Sequence, residues 1–156
     1  MKARWRMVMG IALVVMCMGV LPLVTAAQGA DIRGAWKAET YLLKDGSRLQ
    51  VEGRIFFTQT EWAVLFFVID DEGKPRRGSG EGGTYTLEGE KLVFTHLFNL
   101  SAGEKVGSLP ASPLRYEVRD SSEAPTEPCR VEASGDRMSI HFPSGNRMSF
   151  LRSSGF

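Results

Sequence analysis

Gly34-Ala35-Trp36-Lys37-Ala38-Glu39-Thr40-Tyr41-Leu42 decides the fold class of this chain. In an extended backbone Trp36, Ala38, Thr40 and Leu42 fall on one face, while Lys37, Glu39 and Tyr41 fall on the other. That period of two is the pattern of a strand with one side buried. It recurs along the rest of the sequence. Leu49, Val51, Ile55 and Phe57 alternate with Gln50, Glu52 and Arg54. Leu92, Phe94, His96 and Phe98 share a face opposite Val93, Thr95 and Leu97. Leu114, Tyr116 and Val118 alternate with Arg115, Glu117 and Arg119. Cys129, Val131 and Ala133 face away from Arg130 and Glu132, and Met138, Ile140 and Phe142 and then Met148 and Phe150 complete the set.

Turn residues separate these runs: Asp45-Gly46, Asp70 to Pro75, Glu88-Gly89-Glu90 and Pro143 to Asn146. Two longer polar loops are expected at Ser101–Pro113 and Asp120–Pro128. Trp62 to Ile69 is apolar on both faces, so the strand is covered on both sides or leaves one row outward. No stretch after Asp31 has a helical period. Parallel β/α folds require crossover helices, which leaves an antiparallel barrel or a sandwich. About nine short strands, hairpin spacing and one apolar face per strand point to a single all-β, up-and-down barrel of about eight to ten strands.

Ahead of the strands, Lys2, Arg4 and Arg6 precede an apolar run from Val8 to Val24, broken by Pro22, and the small residues of Thr25-Ala26-Ala27. This is the form of a cleavable export signal over residues 1–27, with the barrel domain at 28–156. An uncleaved anchor helix is disfavoured by Pro22 and by the length of the run, against the roughly 20 residues of a membrane span. The expected location is periplasmic or secreted, with no membrane contact after cleavage. The full chain carries 19 basic and 18 acidic residues. Losing three basic residues with the signal leaves the domain near −2, without the basic footprint that nucleic acid requires. Of the two cysteines only Cys129 remains in the domain, so no internal disulfide can form.

Against this background Asp31-Ile32-Arg33-Gly34-Ala35-Trp36 resembles the first-strand Gly-x-Trp motif of lipocalins and the wider calycin group. Phe150-Leu151-Arg152 resembles their last strand, and Gly53-Arg54-Ile55-Phe56-Phe57-Thr58 is similar to small bacterial lipocalin-like domains. The resemblance implies that Gly34, Trp36 and Arg152 close one end of the barrel, with Arg152 packed across Trp36. It also implies an interior that holds small apolar molecules. Lys37-Ala38-Glu39 departs from the glycine-extended motif of haem-binding calycins, so no cofactor is expected.

Chemistry-bearing residues are few. Gly78-Ser79-Gly80-Glu81-Gly82-Gly83 matches Gly-x-Gly-x-x-Gly, but a charged turn precedes it and strand-like Thr84-Tyr85-Thr86-Leu87 follows. A dinucleotide site needs a strand leading in and a helix leading out, so these glycines read as a bend or a bulge. His96 lies between Phe94 and Phe98 on the apolar face. It is either a hydrogen-bonded core histidine or an interior group able to bind a ligand or move a proton. His96 and His141 fall on opposite faces and form no recognisable metal site. Cys129, inward by alternation, reads as an inert buried thiol.

The leading expectation is a barrel that binds a small, mainly apolar ligand non-covalently, lined by Val64, Phe66, Tyr85, Phe94, His96, Phe98 and Tyr116. A second reading is a closed-core interaction module, monomer or homodimer, docking through the outward row Ala63, Leu65, Phe67 and Ile69. A third is an enzyme with His96 and Tyr116 as its acid–base pair.

Overall fold

A computed structural model describes residues 31–155, and the expected export signal lies outside the described residues. Among the described residues nine strands follow one another without a helix: β1 (Gly34–Leu42), β2 (Arg48–Phe57), β3 (Glu61–Ile69), β4 (Pro75–Glu88), β5 (Lys91–Gly103), β6 (Ser112–Val118), β7 (Thr126–Ser134), β8 (Arg137–His141) and β9 (Arg147–Arg152). All pairings are antiparallel. Neighbours in sequence pair from β1 to β5, β7 to β9 follow, and β9 returns to β1. Eight strands therefore close a barrel. β6 is an addition outside the closed circuit.

β6 arises because β5 changes partner along its length. Lys91–Thr95 pair with β7, whereas Phe98–Gly103 pair with β6. The two loops expected from the sequence are correspondingly shorter. Ser101–Gly103 extend β5, Ser112 opens β6, and Thr126 to Pro128 already belong to β7. The charged Arg76-Arg77 segment and the glycines after it are likewise strand, within the 14 residues of β4.

The core is one cluster of alternating side chains, among them Trp36, Ile55, Phe57, Trp62, Val68, Leu92, Phe94, Val131, Ile140 and Phe150. Trp62 and Phe94 lie 4.3 Å apart between ring centroids, and Phe57 stacks on Phe94 at 6.1 Å. On β3 the inward row is Trp62, Val64, Phe66 and Val68, and the outer row leaves Leu65 and Phe67 exposed.

One end of the barrel is shut. Trp36 is completely buried, and its indole N–H donates to the Ile32 carbonyl at 2.7 Å. The Arg152 guanidinium lies over the ring at 4.1 Å from its centroid. Gly34 sits at φ +111°, a conformation open to glycine, and a side chain there would meet Arg152 Nη1 at 3.3 Å.

The register slips at several places, and two of the slips bear on the barrel interior. In β1 the pairing with β9 slips between Ala38 and Thr40, leaving Glu39 as the extra residue, while against β2 the slip between Lys37 and Thr40 sets Ala38 and Glu39 opposite the three residues Val51, Glu52 and Gly53. Trp36 and Ala38 stay inward as the alternation requires, but Tyr41 turns inward instead of outward. In β5 the slip leaves Leu97 unmatched between His96 and Phe98. A bulged strand changes face at the extra residue.

Candidate functional site

The end opposite Trp36 holds a cavity of about 540 Å³. Its apolar part is made by Ile55 of β2, Trp62 and Val64 of β3 and Phe94 of β5. The turn residues Phe142 and Pro143 and the β1 residue Tyr41 stand at its rim side. Tyr41 is held by Asn146, whose amide donates to the phenol oxygen at 2.9 Å. The indole N–H of Trp62, buried in this wall, has no acceptor among the described residues.

Facing these groups is a charged cluster. His96 Nδ1 lies 2.9 Å from Glu81 Oε2, and His96 Nε2 lies 3.4 Å from Glu127 Oε2. The three side chains come from β5, β4 and the start of β7, brought together because β5 pairs with both neighbours at this level. Ser79 donates to the other Glu81 oxygen at 3.0 Å. Burial disfavours the imidazolium, but the hydrogen bonds to Glu127 and Glu81 outweigh it and raise His96 to about 9. Burial likewise opposes the Glu81 carboxylate, and the His96 contact wins and lowers its pKa. At neutral pH the cluster is therefore an imidazolium between carboxylates, and His96 is an ion-paired donor with no free base nitrogen.

The residues expected to line the interior separate into three groups. Val64, Phe94 and His96 line the cavity. Phe66 and Tyr85 pack against the core elsewhere: Phe66 meets Tyr41 edge-on at 6.0 Å, and the Tyr85 hydroxyl donates to the Thr58 carbonyl at 2.7 Å. Phe98 and Tyr116 are not interior, which corrects the expectation for both. The Leu97 bulge turns Phe98 to the outer wall, over Gly82, where a Cβ would stand 2.5 Å from the ring. Tyr116 is 68% exposed, because β6 lies outside the barrel circuit. His96 and Tyr116 therefore share no site, and the acid–base pair built on them is lost.

Glu81, Asn99 and Glu127 are cavity residues that alternation alone did not bring out. Glu81 sits within the glycine run, and Asn99 is turned inward by the bulge. Glu127 falls in a segment rich in proline and acidic residues. The Gly-x-Gly-x-x-Gly match carries no nucleotide site, since β4 runs straight through it and on to Glu88. Cys129 is buried, and burial pushes its thiol up to about 12.

No family model matches this sequence, and no curated protein matches it. Among solved structures, a lipocalin-like protein from Bacteroides uniformis is similar at 14% identity, with 80% of this chain and 100% of that chain covered and a TM-score of 0.49. An uncharacterized protein from Bacteroides eggerthii is similar at 15% identity, with 79% and 100% covered and a TM-score of 0.47.

Proposed function

We propose that this protein is an exported barrel that holds a small, mainly apolar ligand non-covalently, its polar end directed at the His96 cluster. The observation that supports this is the cavity itself: about 540 Å³ is the size range of small-molecule sites, and a closed core would leave no such space. Trp62, Phe94, Ile55 and Val64 offer the apolar contact. Glu127 offers a carboxylate oxygen beyond the one facing His96, and the second Glu81 oxygen keeps a lone pair beyond the one that accepts from Ser79, so the polar group that suits the site is a hydrogen-bond donor such as a hydroxyl or amine. A ligand carboxylate would meet two like charges there.

Titration with a neutral, environment-sensitive hydrophobic dye tests this reading. Saturable binding is expected, with displacement by long-chain alcohols or amines at lower concentration than by fatty acids of equal length. Val64→Trp, which fills the cavity from its apolar wall, should abolish binding while the barrel's circular dichroism persists. Absence of saturable binding to the folded protein, or binding indifferent to Val64→Trp, would overturn the proposal.

A further inference from the structure

β6 is bonded to β5 along one edge, and among the described residues no strand covers the other. The direction of its polar groups follows from the ladder. The Arg119 amide donates to the Leu97 carbonyl at 2.8 Å, and Glu117 and Arg115 stand opposite Asn99 and Ser101. In an antiparallel strand the N–H and C=O of one residue point the same way and alternate along the chain. The backbone groups of Tyr116 and Val118 therefore face the open edge. Between Arg115 and Ser112 the ladder with β5 slips by one residue, so this alternation holds from Arg115 to Arg119 and breaks at Pro113-Leu114.

Natural edge strands are normally blunted by prolines, bulges or inward charges. This one carries a proline and a bulge at one end, at Pro113-Leu114, and has neither from Arg115 to Val118. It is instead self-complementary. Pairing two copies antiparallel about a two-fold axis at Tyr116 sets Tyr116 against Tyr116 and Leu114 against Val118. The same register sets Arg115 of each copy opposite Glu117 of the other. The Arg115–Glu117 pairs fall at the non-hydrogen-bonded positions, where side chains approach most closely. Shifting the register by two residues either way loses both ion pairs.

The side chains on the outer face agree with this pairing. Leu114, Tyr116 and Val118 are 76%, 68% and 67% exposed. They continue a belt formed by Phe98 and Leu100 of β5 and by Leu65 and Phe67 of β3, which lie across Gly78, Gly80 and Gly82. An apolar belt of this extent on an open-edged sheet marks a surface that is covered in use.

We propose that two copies of this chain associate through β6, joining their sheets by antiparallel pairing of Leu114–Val118 centred on Tyr116. The interface is isologous and closes on itself, giving a dimer and not a filament. It does not depend on what the barrel interior holds.

Light scattering and sedimentation of the purified protein across the micromolar range test the pairing. The expected mass is that of a dimer. Arg115→Glu places like charges opposite Glu117 and should weaken association by roughly tenfold or more. Arg115→Glu combined with Glu117→Arg restores opposite charges in the same register and should return the dimer. Unchanged circular dichroism and melting in each variant separate loss of pairing from loss of fold. A monomer at every concentration overturns the proposal. So does a dimer indifferent to Arg115→Glu, or one that the double exchange fails to restore.

Discussion

Arg152 caps Trp36 from the far end of the chain: its guanidinium lies 4.1 Å from the ring centroid, and its two Nη atoms donate to the carbonyls of Arg33 and Asp31 at 2.9 Å each. One side chain thus ties the last strand to the residues entering the first and covers the buried indole. A cation–π contact of this kind is worth about 0.5–2 kcal/mol, and hydrogen bonds from a charged donor about 1.5–3 kcal/mol.

Arg152→Ala should therefore lower stability by about 2–4 kcal/mol. Arg152→Lys should recover only part of this, since an ammonium cannot reach both carbonyls in a fork. Urea denaturation of both variants, and of each combined with Trp36→Phe, checks the contact. The losses from Arg152→Ala and Trp36→Phe should be sub-additive, and strict additivity would show that the two side chains act independently.

Proton linkage at His96 gives a second expectation. The folded state holds the imidazole proton to about 9, whereas an unfolded histidine releases it near its ordinary value of about 6.5. Below the unfolded value both states are protonated, and the ion pairs to Glu81 and Glu127 contribute fully. As pH rises through the folded value the folded state also loses the proton, and that contribution disappears. Stability should fall between neutral pH and about pH 9–10, and His96→Gln should remove most of this slope. Urea midpoints of the two proteins across that range decide it. Equal slopes would mean that His96 does not carry the linkage.

The strands were legible in the sequence because nearly every one buries a single face, as with Val131 and Ala133 of β7 or Met148 and Phe150 of β9. The shut end was legible for a related reason: Gly34, Trp36 and Arg152 lie in short segments whose residue types are tightly constrained by their contacts. The site was only partly legible. Simple alternation carries Phe94 and His96 inward and would carry Phe98 with them. The extra residue at Leu97 sends Phe98 outward and Asn99 inward. Glu39, the extra residue of β1 against β9, does the same and brings Tyr41 to the cavity. A bulge adds one residue without any compositional mark at the bulged position, so the phase beyond it is lost to pattern reading. Tyr116 failed for a different reason: β6 alternates as cleanly as a barrel strand, and alternation does not say which sheet edge a strand occupies.

The β5 bulge depends on a glycine across the ladder, and this yields a third expectation. Gly83 stands opposite His96 at the slip, and a Cβ there would lie 2.0 Å from the Thr95 carbonyl oxygen and 2.9 Å from the Leu97 amide nitrogen. Both neighbours are backbone and cannot swing aside, so Gly83→Ala must displace β5 itself. The cost should be at the upper end of the roughly 1–3 kcal/mol found for overpacking, or beyond it. Gly80 on the same strand is the control, since a Cβ there would come no nearer than 3.5 Å, to the flexible Leu65 Cδ1. Gly80→Ala should be neutral or slightly stabilising, because alanine restricts the unfolded chain more than glycine does. Thermal melts of the two variants separate these outcomes. Gly83→Ala should also lose dye binding before it loses the barrel, as the shift carries His96 and Asn99 away from Glu81 and Glu127. If Gly83→Ala melted with Gly80→Ala and bound dye equally well, the bulge would not be what sets the cavity wall.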